Sequence, residues 1–245
     1  MAIKKAKIVT VTSVKGGTGK STTVLNLAGI LSNQNKKTII LDLDLYSGVI
    51  APSLNIKSEK NIYTLVIDLI NNKFENIENY ITKYDENIDV LSAPIDPRSV
   101  GKISSKYIDL ILKRLELKYE VILIDSNHIL DAINLVSLDA SDEILYIITN
   151  DLMDLKNMRT INTIFENMNI DYKIVLNLAR PNNTTYTVYD IKNIIGKEPN
   201  YIIPKSFYHS KIEEYIYNGK IITLDKNIKK SKGYEELEKI VKDIL

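Results

Sequence analysis

Val14-Lys15-Gly16-Gly17-Thr18-Gly19-Lys20-Ser21 is the stretch whose reading decides the fold. It lies between an apolar, β-like run at 7–12 and an amphipathic segment at 21–33. Gly16, Gly17 and Gly19 let the backbone turn tightly and bring its N–H groups toward phosphate oxygens. A helix starting directly afterwards would aim its N-terminus, with free N–H groups and a positive dipole end, at the same anion. In this pattern Lys20 reaches the β- and γ-phosphates, and the Ser21 hydroxyl is a Mg²⁺ ligand. Glycine-rich turns also occur without ligands. Here the Gly-Lys-Ser ending, the strand before it and the helix after it coincide, which favours phosphate binding.

Outward from this loop, short Val- and Ile-rich runs alternate with longer amphipathic segments, the pattern of βαβ units and a mostly parallel sheet. Strands are expected at 7–12, 38–43, 88–92, 120–125, 143–149, 172–178 and 201–203. Helices are expected at 21–33, 63–70, 104–117, 131–140, 152–168, 188–195, 209–218 and 234–245. The polar stretch at 76–87 and the loop at 181–185 do not read as domain boundaries, so the expectation is one domain over 1–245.

Two further strand ends carry chemistry. The second strand closes in Leu41-Asp42-Leu43-Asp44-Leu45, and alternation puts both carboxylates on one face at the edge where open parallel sheets bind ligands. Such a pair suits Mg²⁺ outer-sphere work and positioning of an attacking water, although a solvated strand end reads the same way. Val121-Ile122-Leu123-Ile124-Asp125 has the Walker B pattern, four apolar residues closing on an Asp that holds Mg²⁺ through water. The metal set is therefore Ser21, Asp42 and Asp125.

Composition narrows the classes. The chain has 245 residues, 44% hydrophobic and 26% charged, ordinary for a globular protein. The net charge of +1 argues neither for nor against nucleic acid, because balance says nothing about distribution. With no cysteine, disulfides, thiolate metal sites, iron–sulfur ligation and a cysteine nucleophile are excluded. The first seven residues are basic but lack the apolar run and cleavage site of a signal peptide, and no apolar run approaches the ~20 residues of a membrane span. A cytoplasmic location is expected.

Val14 stands where the generic loop begins with Gly, and an extra lysine, Lys15, follows it. Lys15-Gly16-Gly17-Thr18-Gly19-Lys20-Ser21-Thr22 resembles the deviant Walker A motif of the ParA/MinD family of dimeric ATPases, and the resemblance runs over essentially the whole chain. It implies a P-loop NTPase of the α/β class, three αβα layers around a mostly parallel sheet, with ATP and Mg²⁺ as ligands. Gly16 to Thr22 would cradle the nucleotide. Lys15 would reach across an ATP-dependent homodimer to the partner's phosphates, much as an arginine finger does; a solvated loop lysine is the plainer reading. Asp42 and Asp44 would form the first switch, with Asp44 on the water, so Lys15, Lys20 and Asp44 are the catalytic candidates. Asn177, at the end of the sixth expected strand, would bond the adenine edge, and Pro204 would sit beside the base, although a proline also simply stops a strand.

One departure stands out. After Asp125 the family carries prolines and a glycine whose N–H meets the γ-phosphate, whereas this chain has Ser126-Asn127-His128-Ile129. Slow hydrolysis is the expectation. His128 would approach the phosphate or the dimer seam, or else be an exposed structural histidine.

Within the family, 41–48, 91–97 and 149–157 look closest to the CpaE/TadZ branch of pilus-assembly and polar-localisation ATPases. That implies a protein partner and a polar or inner-membrane-peripheral location. A stand-alone positioning protein is equally admissible, since the chain begins at the first ATPase strand without the receiver-like domain usual in that branch. The nitrogenase iron-protein, iron–sulfur carrier and tail-anchored-targeting branches need cysteines, and tyrosine autokinases end in a tyrosine cluster that is missing here.

Other outputs stay open. A ParA-type segregation ATPase would bind nonspecific DNA through Lys205, Lys211, Lys220, Lys226, Lys229, Lys230 and Lys232, among which Glu213, Glu214 and Asp225 interleave. A MinD-like membrane helix would use Leu237, Ile240, Val241, Ile244 and Leu245, but Glu235, Glu236, Glu238 and Asp243 make its other face poor for anionic lipid. A metabolic synthetase of the dethiobiotin or cobyrinate kind shares the loop, but no substrate constellation for one is evident. ATP is expected to be the only small-molecule substrate.

Overall fold

The computed structural model describes residues 5–178, 186–208 and 212–245. The expected loop at 181–185 and Lys211 lie outside the described residues. The sheet is built from β1 (Lys7–Ser13), β2 (Thr38–Leu43), β3 (Thr82–Lys83), β4 (Ile88–Leu91), β5 (Val121–Ser126), β6 (Glu143–Ile148), β7 (Lys173–Asn177) and β8 (Tyr201–Ile203). Its order is β3-β4-β2-β5-β1-β6-β7-β8. Every pairing is parallel except β3 with β4. The fold is α/β, and the seven expected strands all form.

The central strands are apolar runs because both faces are covered. On one face Val9, Val11, Ile40, Leu123, Leu145 and Val175 pack against α1 (Lys20–Asn33) and α9 (Lys232–Ile244). The intervening residues point the other way, as a period of two requires. Ile8, Ile39, Leu41, Ile122 and Ile124 pack with α3 (Ile62–Ile70) and α4 (Ser105–Leu115). Farther along the same face Ile144, Tyr146, Ile148, Ile174 and Leu176 meet α6 (Leu152–Met168) and α7 (Val188–Ile195). Between those two groups lies α5 (Ala132–Ala140), whose Ile133 and Val136 join the first and Leu138 the second.

α1 is buried along most of its length. Its Gly29 leaves room for Ile221 and Thr223, where a Cβ would collide with both. The apolar stripe of α9, from Leu237 through Ile244, is spent on this core, and only Leu245 at its end is exposed. Short elements missing from the sequence reading are the edge strand β3 and the helix α2 (Ile50–Ser53). The last helix before α9 is α8 (Ile212–Tyr217), shorter than the expected 209–218, whose first residues lie outside the described residues.

From β1 the chain crosses to β2 on one side, and from β5 to β6 it passes to the other. The strand order therefore reverses around β1, and the crevice at the carboxyl ends of β1, β2 and β5 is where an open sheet of this kind takes a ligand.

Candidate nucleotide site

The loop from β1 to α1 opens into a cleft of about 560 Å³. Gly16, Gly17, Gly19, Lys20, Ser21 and Thr22 line one end of it. Asp44 faces the loop from beyond β2, and Asn127, His128 and Ile129 from beyond β5. Gly19 precedes α1 with φ +99°, in the left-handed region, and its missing Cβ is what lets the Asn177 amide lie against it. No side chain caps α1, so its first N–H groups stay turned to the cleft.

Lys20 is only 6% exposed and lines the cleft. Thr18 is fully buried and its carbonyl accepts from Asn177 Nδ2 at 2.8 Å. Asn177, expected at the adenine edge, thus ties β7 to the loop, and neither it nor Pro204 is among the cleft-lining residues. Thr22 O accepts from Asn26 Nδ2 at 2.7 Å, while Asn26 Oδ1 accepts from Thr223 N at 3.2 Å, which joins the phosphate loop to the segment before α9.

The lysines of the loop part company. Lys15 is not among the cleft-lining residues. Its Nζ donates to Asp151 Oδ1 at 2.7 Å, and the two side chains are 37% and 46% exposed. Asp151 also caps α6, accepting from Met153 N and Asp154 N, both at 3.1 Å. The Lys15 ammonium and the cap together hold the Asp151 carboxyl below its usual range, the lysine contributing most.

Asp42 and Asp125 sit side by side, register partners on β2 and β5. Asp125 is fully buried, and neither of its oxygens finds a hydrogen-bond partner. Burial pushes it up to about 7, against the pull of the Ser21 hydroxyl and the Lys20 ammonium. An orphaned carboxylate beside the Ser21 hydroxyl and the Lys20 ammonium fits water-mediated Mg²⁺, which keeps several waters and takes few protein ligands. Asp42 accepts from Asp44 N and Ile50 N, both at 3.2 Å. Burial, then the charge of Asp125, raise it well above the carboxylate range. It faces a neighbouring hollow with Gly48 and Ser92, whereas Asp44 faces the main cleft. The pair expected on one face is divided because β2 ends at Leu43 and the chain turns at Asp44.

The far end of the cleft was not foreseen from the sequence. Leu25, Tyr46, Val49, Tyr215, Ile216 and Lys220 make it mostly apolar. Lys220, grouped in the sequence with basic-patch candidates, is a cleft residue. Among the others, Lys205, Lys226, Lys229, Lys230 and Lys232 are exposed. No carboxylate–histidine cluster able to hold a metal alone occurs among the described residues, and no helix there is long and apolar enough to cross a membrane.

Comparison with known proteins agrees with this geometry. A family profile described as "AAA domain" matches residues 6–177. An uncharacterized ATP-binding protein of Methanocaldococcus jannaschii is 29% identical over 245 residues, covering 96% of this chain and 87% of that protein. The structure of a ParA family ATPase from Chlorobium tepidum superposes with a TM-score of 0.83 at 18% identity, over 97% of this chain and 98% of that one. The septum site-determining protein MinD of Pyrococcus horikoshii, solved with Mg-ADP, superposes with a TM-score of 0.79 at 20% identity, over 98% and 96%. The chain belongs to the AAA domain family, and its fold is that of the ParA and MinD structures.

Proposed function

We infer that this chain is an ATP-controlled dimeric switch that positions or assembles cellular machinery. The carrying observation is the division of labour between the two loop lysines. Lys20 is buried in its own cleft, while Lys15 is held outside it at Asp151, on a half-exposed surface where a second protomer can reach it. ATP binds with its phosphates on 16–22. Ser21 and, through water, Asp125 with Asp42 at its side would hold Mg²⁺, which would neutralise phosphate charge. Asp44 orients the attacking water. The water oxygen bonds to the γ-phosphorus, the bond to the β–γ bridging oxygen breaks, the water's proton passes to the released phosphate, and ADP and phosphate leave. Lys15 from the partner protomer meets the charge on the transferring group, so hydrolysis follows assembly. The single-domain organisation over 1–245, and base recognition near Asn177 and Pro204, belong to the same reading.

Light scattering with a slowly hydrolysed ATP analogue tests this: dimer with wild type and monomer with Lys15→Ala is expected. Monomer in every nucleotide state sinks the mechanism. The cargo proposed is a protein assembly of the pilus or secretion type at a cell pole, from the CpaE/TadZ-like stretches at 41–48, 91–97 and 149–157. A second reading, nonspecific DNA, draws on the exposed Lys226, Lys229 and Lys230 before α9 and Lys232 at its start, and on the likeness to a ParA family protein. ATP-dependent, salt-sensitive DNA retention would promote it.

A further inference from the structure

The turn after β5 is built on asparagines. Asn127 Oδ1 accepts from Ile129 N at 2.7 Å and from Asn134 Nδ2, on α5, at 2.6 Å. Asn127 O accepts from Ser126 Oγ at 3.1 Å, Asn134 Nδ2 at 3.3 Å and Thr12 Oγ1 at 3.4 Å. Asn134 Nδ2 also donates to Ile129 O, which accepts from Asp131 N at 2.9 Å as well. Both neighbours of His128 are therefore fixed by bonds from β1, α5 and the turn itself. Asn127 and Asn134 are buried, but His128 is exposed. It lines the cleft together with Gly16, Lys20, Ser21 and Asp44.

We propose that His128 reads the terminal phosphate of the bound nucleotide, its imidazole N–H donating to a γ-phosphate oxygen. The Ile129 and Asp131 N–H groups are committed inside the turn, so the turn cannot turn them to the phosphate without breaking its own clamp. The imidazole gives this turn an exposed side-chain donor, and a histidine offers an N–H in either protonation state. A donor to a phosphate oxygen forms a charge-assisted bond. ADP lacks the group that receives it, so the contact favours ATP over ADP. Fixing the flanking residues removes most of the loop-ordering cost that such a contact otherwise carries.

The proposal rests on the ATP-switch reading, and one experiment separates the two. Calorimetry at protein concentrations where the chain is monomeric measures Mg-AMPPNP and Mg-ADP affinity for wild type, His128→Ala and His128→Gln. Wild type is expected to prefer AMPPNP. His128→Ala should lose about tenfold in AMPPNP affinity with ADP affinity unchanged, and His128→Gln, which keeps an N–H donor, should recover most of it. An unchanged AMPPNP-to-ADP ratio in His128→Ala overturns the proposal while leaving the switch intact. So does an equal loss for both nucleotides, or a defect confined to dimerisation. If wild type binds neither nucleotide, the ATP reading itself falls.

Discussion

The turns leaving β1 and β5 lie side by side at one sheet edge and are made rigid in opposite ways. The first uses glycines: Gly19 takes a left-handed conformation, and one outside amide, that of Asn177, braces Thr18. Its backbone donors stay available for an anion. The second uses side chains: Asn127 and Asn134 take up backbone groups on both sides of His128. That rigidity takes up the Ile129 and Asp131 N–H groups, which favours a side-chain donor at this turn. A loop can be rigid and still offer its backbone, or rigid because part of its backbone is already spent.

The largest test removes the glycine loop's cation. Lys20→Ala should weaken nucleotide binding or turnover by ~10²–10³-fold, as loss of a preorganised charged donor does, with calorimetry and a phosphate-release assay as readouts. A loss below about fivefold would mean the backbone N–H groups alone carry the phosphates.

The next test concerns the ground beneath both turns. Asp125 is raised from 3.8 to about 7 by burial, so the folded chain holds its proton more tightly than the unfolded chain does. That contribution to stability is complete below about pH 4 and lost as pH rises through about 7. At its upper bound it amounts to roughly 4 kcal/mol. Nucleotide-free protein should therefore melt lower at pH 8 than at pH 5. Asp125→Asn should flatten that slope while abolishing Mg²⁺-dependent turnover. Thermal melts across pH without nucleotide decide it, and an unchanged slope would place the pH sensitivity elsewhere, at Asp42 or Asp154, which burial also raises.

The two turns also differ in how far a sequence discloses them. The glycine loop was legible because its signal is local: spacing, the strand before and the helix after all lie within a few tens of residues. Seven of the eight strands were legible for the same reason, as Val- and Ile-rich runs. β3 was not, since two residues at an antiparallel edge carry no period. Pairing Lys15 with Asp151 joins positions 136 apart, and sequence shows Asp151 only as a helix-capping type. The apolar end of the cleft comes from α1, the loop after β2 and the segment around α8, brought together only by the fold. Asn127 and Asn134 are near in sequence, yet Asn in a turn reads as a generic former of loops. Their mutual clamp needs the geometry of β5 against α5.

Breaking each brace sharpens the contrast. Asn134→Ala removes bonds to Asn127 and Ile129 and should cost about 1–3 kcal/mol of stability, read by urea unfolding, with ADP affinity changed less than threefold. Asn177→Ala should do the reverse, costing roughly 1 kcal/mol or less of stability but weakening ADP and ATP analogue alike. If Asn134→Ala cripples ADP binding too, the turns are one mechanical unit and the contrast fails.

The smallest expected effect lies where the glycine loop meets α6. The Lys15–Asp151 pair is half-exposed, so its worth in stability is about 0–1 kcal/mol, despite the short 2.7 Å contact. Asp151→Asn keeps a good helix cap for Met153 N and Asp154 N while deleting the charge that holds Lys15. Thermal stability should therefore shift by no more than a few degrees. If the pair serves only as a holding place for a lysine needed by the partner, the analogue-driven dimer should form at equal or lower protein concentration in Asp151→Asn. If the dimer is instead weakened more than tenfold, Asp151 positions Lys15 for the partner rather than parking it. The distinction matters because a bond this weak cannot gate assembly by strength. It can only bias where the ammonium sits before a second protomer arrives.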